Sequence, residues 1–198
     1  MKYLIQFTGA QSTGKSTLAW MSINKLQGIG RTVSFIGETS RTLKKNDIIT
    51  DLDIKASIVD QLLINGELLV QFFERLNLAR DQEIIVAERT AFCCLAYANE
   101  LVKNNYSEGA DYMLNHTLRF ERAARSLANA DTRVLTFYCP PNIEFVADGI
   151  RHTESQAVID SNIKGILNLD KVPYITVPPG DERERFTFVM QHIQEFLE

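Results

Sequence analysis

Residues 3–18 read YLIQFTGAQSTGKSTL, and this segment determines the fold that we predict. Its first half is a short, nearly continuous apolar run, which is typical of a β-strand covered on both faces. Its second half, Gly9–Ser16, matches the phosphate-loop pattern G-x-x-x-x-G-K-[ST] at every position. A strand, a glycine-rich loop and a following helix form the usual setting in which this pattern binds nucleotide phosphates. We therefore predict a P-loop.

The residue types in the loop follow from the chemistry of phosphate binding. The glycines allow backbone conformations that turn successive N–H groups inward around an anion, and the dipole of the following helix adds to the attraction. Lys15 is predicted to reach the β- and γ-phosphates of ATP, and the Ser16 hydroxyl to bind Mg²⁺. The residues predicted to bind ATP on this loop are Gly9, Ser12, Thr13, Gly14, Lys15 and Ser16.

The remainder of the chain alternates short β-type runs with longer helical segments. Strands are predicted at Tyr3–Thr8, Thr32–Ile36, Glu83–Ala87, Arg133–Tyr138 and Tyr174–Val177. Helices are predicted at about Ser16–Gln27, Ile54–Arg80, twice within 91–130, at Gln156–Leu167 and at Glu182–Leu197. This alternation favours an α/β fold, a P-loop NTPase three-layer sandwich with a mainly parallel five-stranded sheet. We predict one domain over residues 1–198, with a short helical lid over about residues 142–168.

Composition and charge limit the classes of partner. The net charge is −4, which argues against broad binding to nucleic acid or to an anionic membrane. No apolar run reaches about 18 residues, so we predict no membrane span. The three cysteines are odd in number and lack C-x-x-C spacing. We therefore expect buried free thiols and a cytoplasmic, reducing location, and we leave a homo-oligomer open.

Charged residues follow two of the predicted strands. Glu38 and Arg41 follow the second strand, where a carboxylate could orient an acceptor hydroxyl or take its proton. Glu88 and Arg89 follow the third strand, the position from which an acidic residue supports Mg²⁺ and an arginine can clamp an acceptor or phosphate. The alternative for each pair is structural, a helix N-terminal turn or a buried ion pair.

Two more arginines are candidates near the C-terminal half of the chain. Arg151, at the edge of the predicted lid, could close over the phosphates and stabilise transferring charge. Arg185 follows the fifth strand and could stack on the adenine base. Both could equally be solvated arginines at helix starts.

The other P-loop classes are less well supported. The chain has no N-K-x-D guanine motif and no L-S-G-G-Q signature, and it is short for a helical AAA+ lid domain. A small-molecule kinase remains. The alternatives are a (deoxy)nucleoside monophosphate kinase, a DNA-modifying kinase, and a P-loop ATPase or nucleotide sensor that regulates a partner. Arginines available for an acceptor phosphate are Arg41, Arg75, Arg80, Arg119 and Arg122.

Taken in order, the motifs resemble a known family. The segments GAQSTGKSTL, GETSR, AERTAFCCLAYA, DGIRHTES and GDERERF are similar to the ribosylnicotinamide (nicotinamide riboside) kinase domain and to related phage and bacterial AAA-type ATPase or kinase domains. The resemblance covers nearly the whole chain. Its first motif is generic to P-loop proteins, and the second and fourth are more specific.

The resemblance implies a kinase that uses ATP and Mg²⁺ to phosphorylate a nucleoside-like hydroxyl. By position, Thr17 would join Lys15 and Ser16 at the phosphates and metal, and Arg151 would be the lid arginine. Glu38 and Arg41 would face the acceptor. The family's D-R element reads Glu88-Arg89 here, so the carboxylate is one methylene longer. The acceptor itself is left unidentified.

Overall fold

The computed structural model describes residues 2–51, 56–78, 83–104, 108–129, 131–143 and 155–198. The strands are β1 (Lys2–Thr8), β2 (Val33–Ile36), β3 (Ile84–Ala87), β4 (Thr132–Tyr138) and β5 (Ile175–Thr176). The helices are α1 (Lys15–Gly28), α2 (Thr39–Lys45), α3 (Ile58–Phe73), α4 (Ala91–Asn104), α5 (Glu108–Asn129), α6 (Gln156–Leu169) and α7 (Glu182–Leu197). A π-helical turn, Glu74–Leu78, continues α3.

The five strands form one parallel sheet in the order β2-β3-β1-β4-β5. This confirms the predicted α/β class. The strand β3 lies between β1 and β2 although it follows both in the chain, so the segments that leave β1, β3 and β2 emerge side by side. Ligands gather at this carboxyl edge of a parallel sheet.

Alternate residues of the strands pack on opposite faces of the sheet, as strand geometry requires. Ile5 and Phe7 of β1 pack with α1 and α7 in one core cluster. Leu4 of β1 packs on the other face with buried residues of α3, α4 and α5, and α6 covers that face next to α4. The sheet is therefore the middle of three layers. Within the described residues, no helix combines the length and apolarity that a membrane crossing needs.

The helix predicted over Ile54–Arg80 was partly wrong in extent. The ordered part is α3 with its π-helical turn, and the two ends of the prediction, 54–55 and 79–80, lie outside the described residues. Ile58, Leu62, Leu69 and Phe72 pack against core clusters, whereas Phe73 is 47% exposed. The buried face carries Asp60 and Asn65 because these side chains find hydrogen-bond partners there: Thr50 and Ser57 for Asp60, and Thr117 for Asn65.

The described part of the predicted lid is α6. Its buried residues Ile159, Ile163 and Leu167 pack in one cluster with Phe92 and Tyr97 of α4. The Tyr138 hydroxyl of β4 donates to Asp160 Oδ1 at 2.6 Å. Residues 144–154, which include Arg151, lie outside the described residues.

Candidate phosphate and acceptor site

The loop between β1 and α1 has the backbone geometry that its glycines predict. Gly9 adopts φ 146°, and a Cβ placed there would lie 2.3 Å from the backbone oxygen of Cys139. Gly14 adopts φ 77° and is the N-cap of α1. Only a residue without a side chain fits the close approach at Gly9, so the loop is held against the end of β4.

The loop lysine lies along the loop itself. Lys15 is buried, and its ammonium donates to the Ala10 carbonyl oxygen and, at 3.1 Å, to Thr13 Oγ1. The Thr13 hydroxyl donates in turn to the Ala10 oxygen at 3.0 Å. Ser12 has φ 54° on this loop, and Thr17, at the first turn of α1, faces solvent. The loop thus brings a buried cation next to the N-terminus of α1, where an anion is favoured.

The end of β3 contacts both neighbouring loops. Glu88 is buried and accepts a hydrogen bond from the Ser16 hydroxyl at the start of α1. The next residue, Arg89, pairs with Glu38 after β2, with Nη2 to Oε1 at 2.6 Å. The strand order explains this, because β3 lies between β1 and β2. Ser16 of the phosphate loop and the predicted acceptor carboxylate Glu38 therefore lie on either side of the Glu88-Arg89 dipeptide.

Glu38 lies between two arginines. Besides Arg89, it accepts from Arg41 Nε at 2.7 Å across one turn of α2, and Ser40 donates to it at 3.3 Å. The Glu38 side chain is 7% exposed, whereas that of Arg41 is 47% exposed. All three predicted acceptor residues are thus in contact, with Arg41 on the open side.

The environment of Arg89 fixes its charge. Its guanidinium lies 5.4 Å from the centre of the Tyr97 ring on α4. Burial by itself lowers the pKa of Arg89, but the neighbouring Tyr97, Cys93, Cys94 and Glu88 groups raise it, and the net direction is upward. Arg89 is therefore a fixed, planar cation held between Glu38 and an aromatic face.

Arg185 lies against the P-loop. It is 3% exposed in the first turn of α7, and its Nη2 donates to the Thr13 carbonyl oxygen at 2.9 Å. A Cβ placed on Gly14 would lie 2.8 Å from Arg185 Nη1. Arg185, which was predicted to bind nucleotide, thus lies next to the phosphate loop and forms a hydrogen bond with the loop backbone.

Sequence reasoning missed the polar network beneath the loop. The side chain of Gln11 is 1% exposed; it donates to Ser155 Oγ at 2.6 Å and accepts from the Tyr97 hydroxyl at 3.1 Å. The Gln156 amide donates to the Gln11 carbonyl oxygen at 2.8 Å. The network joins the P-loop to α4 and to the start of α6. Gln11 occupies an unspecified position of the motif, so the pattern carries no signal for it.

Cys93 is a second residue that the site contains and the sequence did not indicate. All three cysteines are free and buried, as predicted. Cys93 Sγ lies 3.3 Å from the Thr8 hydroxyl, immediately before the P-loop, and 3.6 Å from that of Thr90. Burial raises the pKa of this thiol, but Arg89 and Lys15 lower it further, and the net direction is downward.

The donor set fits a magnesium ion better than a softer metal. Within the described ranges, no group of three His, Cys, Asp or Glu residues is placed to hold a metal. The Ser16 hydroxyl and the Glu88 carboxylate meet at the end of the phosphate loop. Both are hard oxygen ligands, which Mg²⁺ prefers alongside waters and substrate phosphates.

Comparison with protein families bears on this geometry. The family model described as "AAA domain" (AAA_28) matches residues 4–185, which include the P-loop, the strand ends and Arg185. The chain belongs to this AAA domain family. A search of curated proteins found no match.

Solved structures share the fold of this AAA domain at low sequence identity. A NadR protein in complex with NAD and AMP-PNP superposes with a TM-score of 0.68 and 16% identity over 98% of this chain and 49% of that chain. A NadR protein in complex with NR superposes with a TM-score of 0.65 and 20% identity, over 98% of this chain and 51% of that chain. Thymidylate kinase from Ehrlichia chaffeensis superposes with a TM-score of 0.57 and 16% identity, over the full length of both chains. The AAA domain spans about half the length of the NadR chains.

Proposed function

We propose that this AAA domain is an ATP- and Mg²⁺-dependent phosphotransferase, a kinase that transfers the γ-phosphoryl group of ATP to a hydroxyl of a small nucleoside-like acceptor. The observation that carries the proposal is the Glu88-Arg89 dipeptide, which contacts Ser16 of the phosphate loop on one side and Glu38 on the other. In this proposal the donor site and a charged acceptor site would be adjacent. Nicotinamide riboside or a (deoxy)nucleoside is the acceptor class, in keeping with the ligands and activities of the proteins that share the fold.

The roles follow from where each side chain lies. The P-loop N–H groups and Lys15 would bind the phosphates, and Arg185 would keep the loop rigid. Ser16 and Glu88 would hold Mg²⁺, which neutralises charge on the phosphates when bound. Arg89 would hold Glu38 in place, and Glu38 would orient the acceptor hydroxyl. Positioning and electrostatics account for most of the catalysis in such a reaction, because phosphoryl transfer needs little covalent chemistry from the protein.

The remaining predicted site residues belong to the same proposal. Thr17 would support the phosphate end of the site from the first turn of α1. Arg41, half exposed beside Glu38, would contact the acceptor from the open side. Arg151 lies outside the described residues and would act as the lid arginine. The three free thiols are buried and support a cytoplasmic location.

The proposal is tested by ADP release with Mg-ATP and a panel of acceptors. The panel holds nicotinamide riboside, ribonucleosides and deoxyribonucleosides, their monophosphates and a short DNA oligomer. We expect ADP release that depends on one nucleoside-like class. ADP released at one rate with and without every acceptor would contradict a kinase and favour an ATPase; release that required a monophosphate or the DNA oligomer would replace the proposed acceptor.

Lys15→Ala is the control for the phosphate site in that assay. Loss of a cation that faces developing negative charge lowers turnover by about 100-fold or more. The variant should keep its circular dichroism spectrum. Wild-type turnover in a folded Lys15→Ala protein would overturn the assignment of the loop as the phosphate site.

We also propose that the chain forms a homodimer through α3. The outer face of this helix carries Val59, Leu63, Val70 and Phe73, which are 64%, 41%, 49% and 47% exposed. Val59 and Phe73 lie seven residues on either side of Gly66, whereas Leu63 lies three residues before it and Val70 four residues after it. Two copies of α3 in antiparallel contact would therefore place Val59 opposite Phe73, and Leu63 within one residue of the position opposite Val70. Such self-complementarity is what a two-fold interface requires.

Light scattering coupled to size exclusion tests the dimer. We expect a mass near 45 kDa, twice the 22.5 kDa of the chain, and a monomer for Val70→Glu. Leu169→Glu is the matched control, since Leu169 is 83% exposed on α6 and should not affect the mass. A monomeric wild type at about 100 μM would limit the association free energy to weaker than about −5.5 kcal/mol and would contradict the dimer.

A further inference from the structure

A cavity separate from the phosphate site lies on the sheet face opposite α1 and α7. Its volume is about 290 Å³, and it is bounded by β1 and β4, by the first turn of α4, by the C-terminal half of α5 and by the segment 170–173 that joins α6 to β5. Val134, which lines the cavity, is 39% exposed, because β5 pairs only with Phe137 and Tyr138 of β4 and leaves Val134 without a second neighbouring strand. The helices of this layer leave part of the sheet uncovered at the cavity.

The cavity does not belong to the site described above. Gln6 is on its floor, and Thr8, two residues further along β1 on the same face, is covered by Cys93 at 3.3 Å. That contact lies between the cavity and the P-loop. None of the residues proposed to bind ATP, Mg²⁺ or the acceptor lines the cavity.

The floor carries a polar pair in a mostly apolar sheet. Gln6 and Thr136 are register partners on β1 and β4, and both are more than nine-tenths buried. The Gln6 amide nitrogen donates to Thr136 Oγ1 at 2.8 Å. The carboxamide still offers a carbonyl acceptor and a second N–H donor. Central strands of a parallel sheet covered on both faces are usually apolar, so a buried carboxamide beside a cavity indicates a partner for hydrogen bonding.

The walls combine aromatic and aliphatic side chains with charged residues on one side. Phe72 and Phe92 line the cavity, and the Arg125 guanidinium lies 5.0 Å from the centre of the Phe92 ring. Arg125 is itself paired with Glu121 and with Asp170, which also lines the cavity. Lys171, an exposed residue, is the second cation of the lining, so two cations stand beside the carboxylates of Glu121 and Asp170. These charges balance, which makes an uncharged ligand more suitable than an anion. Aromatic and guanidinium planes favour a planar ligand.

We propose that this cavity is a binding site for a small, uncharged, bicyclic heteroaromatic compound with an amide-like edge. The volume is roughly twice the 150 Å³ of an apolar protein cavity that holds benzene, so it accommodates two fused rings. The Gln6 carboxamide pairs with a donor and an acceptor that lie side by side on the ligand, as in a lactam. The rings lie against Phe92 and the apolar wall.

Hypoxanthine is the probe, because it is a bicyclic compound with a lactam edge, and indole is the control of similar shape without that edge. Binding is measured on the full chain by NMR of the side-chain amides and by calorimetry, with saturating AMP-PNP and Mg²⁺ present to occupy the P-loop. We expect hypoxanthine to shift the Gln6 amide signals. Gln6→Leu should weaken the affinity for hypoxanthine by about tenfold or more and leave the affinity for indole unchanged. The reason is that a site built to form hydrogen bonds rejects a ligand edge that does not match it.

Filling the cavity locates the bound compound. Ala124 lines the wall and is buried, so Ala124→Trp should abolish binding of hypoxanthine, whereas Ala124→Ser should retain it. Thr136→Val replaces Gln6→Leu if the latter does not fold. The proposal is overturned if hypoxanthine does not shift the Gln6 signals, or if Ala124→Trp binds hypoxanthine with wild-type affinity. It is also overturned if indole and hypoxanthine bind with equal affinity and neither Gln6→Leu nor Thr136→Val changes the affinity for either compound.

Discussion

At the scale of single residues, the candidate site depends on Glu88 and Arg89, two adjacent residues whose side chains point in opposite directions. Glu88 reaches Ser16 and Arg89 reaches Glu38, because successive residues that leave a strand face opposite sides. Arg89 also lies over Tyr97, which limits its motion. A guanidinium that pairs with a carboxylate and stacks on a ring uses its planar shape as well as its charge.

Arg89→Lys tests whether that planar shape matters. Lysine keeps the charge but cannot stack on Tyr97 and pair with Glu38 in the same geometry. We expect kcat/KM for the acceptor to fall by about 10- to 100-fold, the range that follows when an oriented catalytic group is misplaced. Arg31→Lys is the matched control, since Arg31 forms an exposed ion pair with Glu83 away from the site. Equal activity of the two variants would remove Arg89 from the acceptor site.

Gly9→Ala tests the contact between the P-loop and β4. The new Cβ would be 2.3 Å from the Cys139 oxygen, and φ 146° is strained for alanine. We expect a loss of about 1–3 kcal/mol in the free energy of unfolding, together with weaker binding of AMP-PNP. Gly28→Ala is the control, because nothing lies within 4 Å of its Cβ position, and a change of at most about 1 kcal/mol is expected there. Both quantities follow from thermal unfolding with and without the nucleotide.

The residues of the site differ in how well the sequence predicts them. Glu38, Glu88 and Arg89 could be placed because charged residues at strand ends of a parallel sheet meet at one edge. Gln11 and Tyr97 could not, since one occupies a variable position of the loop motif and the other lies within an apolar helix. Their importance comes from tertiary contacts between β1, α4 and α6, which no local pattern encodes.

At the scale of elements, α2 and α3 show where local patterns fail. The strands and most helices follow from apolar periodicity, but the short helix α2 entered the prediction only as the alternative for Glu38 and Arg41, a helix N-terminal turn. Its seven residues, TSRTLKK, contain one apolar residue, Leu43, which is buried against Ile49 and Ile64. One apolar position cannot establish a period. In α3 the apolar residues pack as their period predicts, but the pattern gives no sign that Asp60 and Asn65 are buried, because their burial depends on partners outside the helix.

The N-terminus of α3 depends on a buried carboxylate. Asp60 accepts from the Ser57 backbone at 2.9 Å and hydroxyl at 2.8 Å, and from the Thr50 backbone and hydroxyl, both at 3.0 Å. Ser57 and Asp60 form a reciprocal capping box. Burial alone raises the pKa of Asp60, but these hydrogen bonds lower it further, and the net direction is downward.

A pH dependence of stability follows from that carboxylate. Because the folded pKa lies below the unfolded value of about 3.9, Asp60 stabilises the fold fully above that pH and loses its contribution as pH falls through the folded pKa. Asp60→Asn should lower the free energy of unfolding by about 0.5–2 kcal/mol near pH 6. The difference from wild type should shrink below about pH 4. Urea unfolding at several pH values measures this difference in unfolding free energy, and Asp111→Asn, at an exposed position, is the control. A difference between wild type and Asp60→Asn that grew on acidification would contradict the stabilising role of the Asp60 carboxylate.

At the scale of the whole molecule, the phosphate loop is joined to both helical layers. Arg185 ties it to α7 on one face of the sheet, and Gln11 ties it to α4 and α6 on the other. A ligand that binds the folded loop therefore stabilises contacts in all three layers. For a ligand that binds only the native state, the gain is about 2.7 kcal/mol at a concentration of 100 Kd.

Gln11→Leu tests how much of that coupling passes through one side chain. The substitution keeps the volume but removes the hydrogen bonds to Ser155 and Tyr97, and loss of buried partners costs about 1–3 kcal/mol. We expect a lower Tm without ligand. We also expect a smaller rise in Tm with AMP-PNP and Mg²⁺ than in wild type, because the loop is less firmly held for the nucleotide. Gln191→Leu, which removes an exposed hydrogen bond to Glu195 on α7, should match wild type in both measurements. If Gln11→Leu showed the wild-type rise from a lower starting Tm, the network would stabilise the fold without preparing the loop for nucleotide.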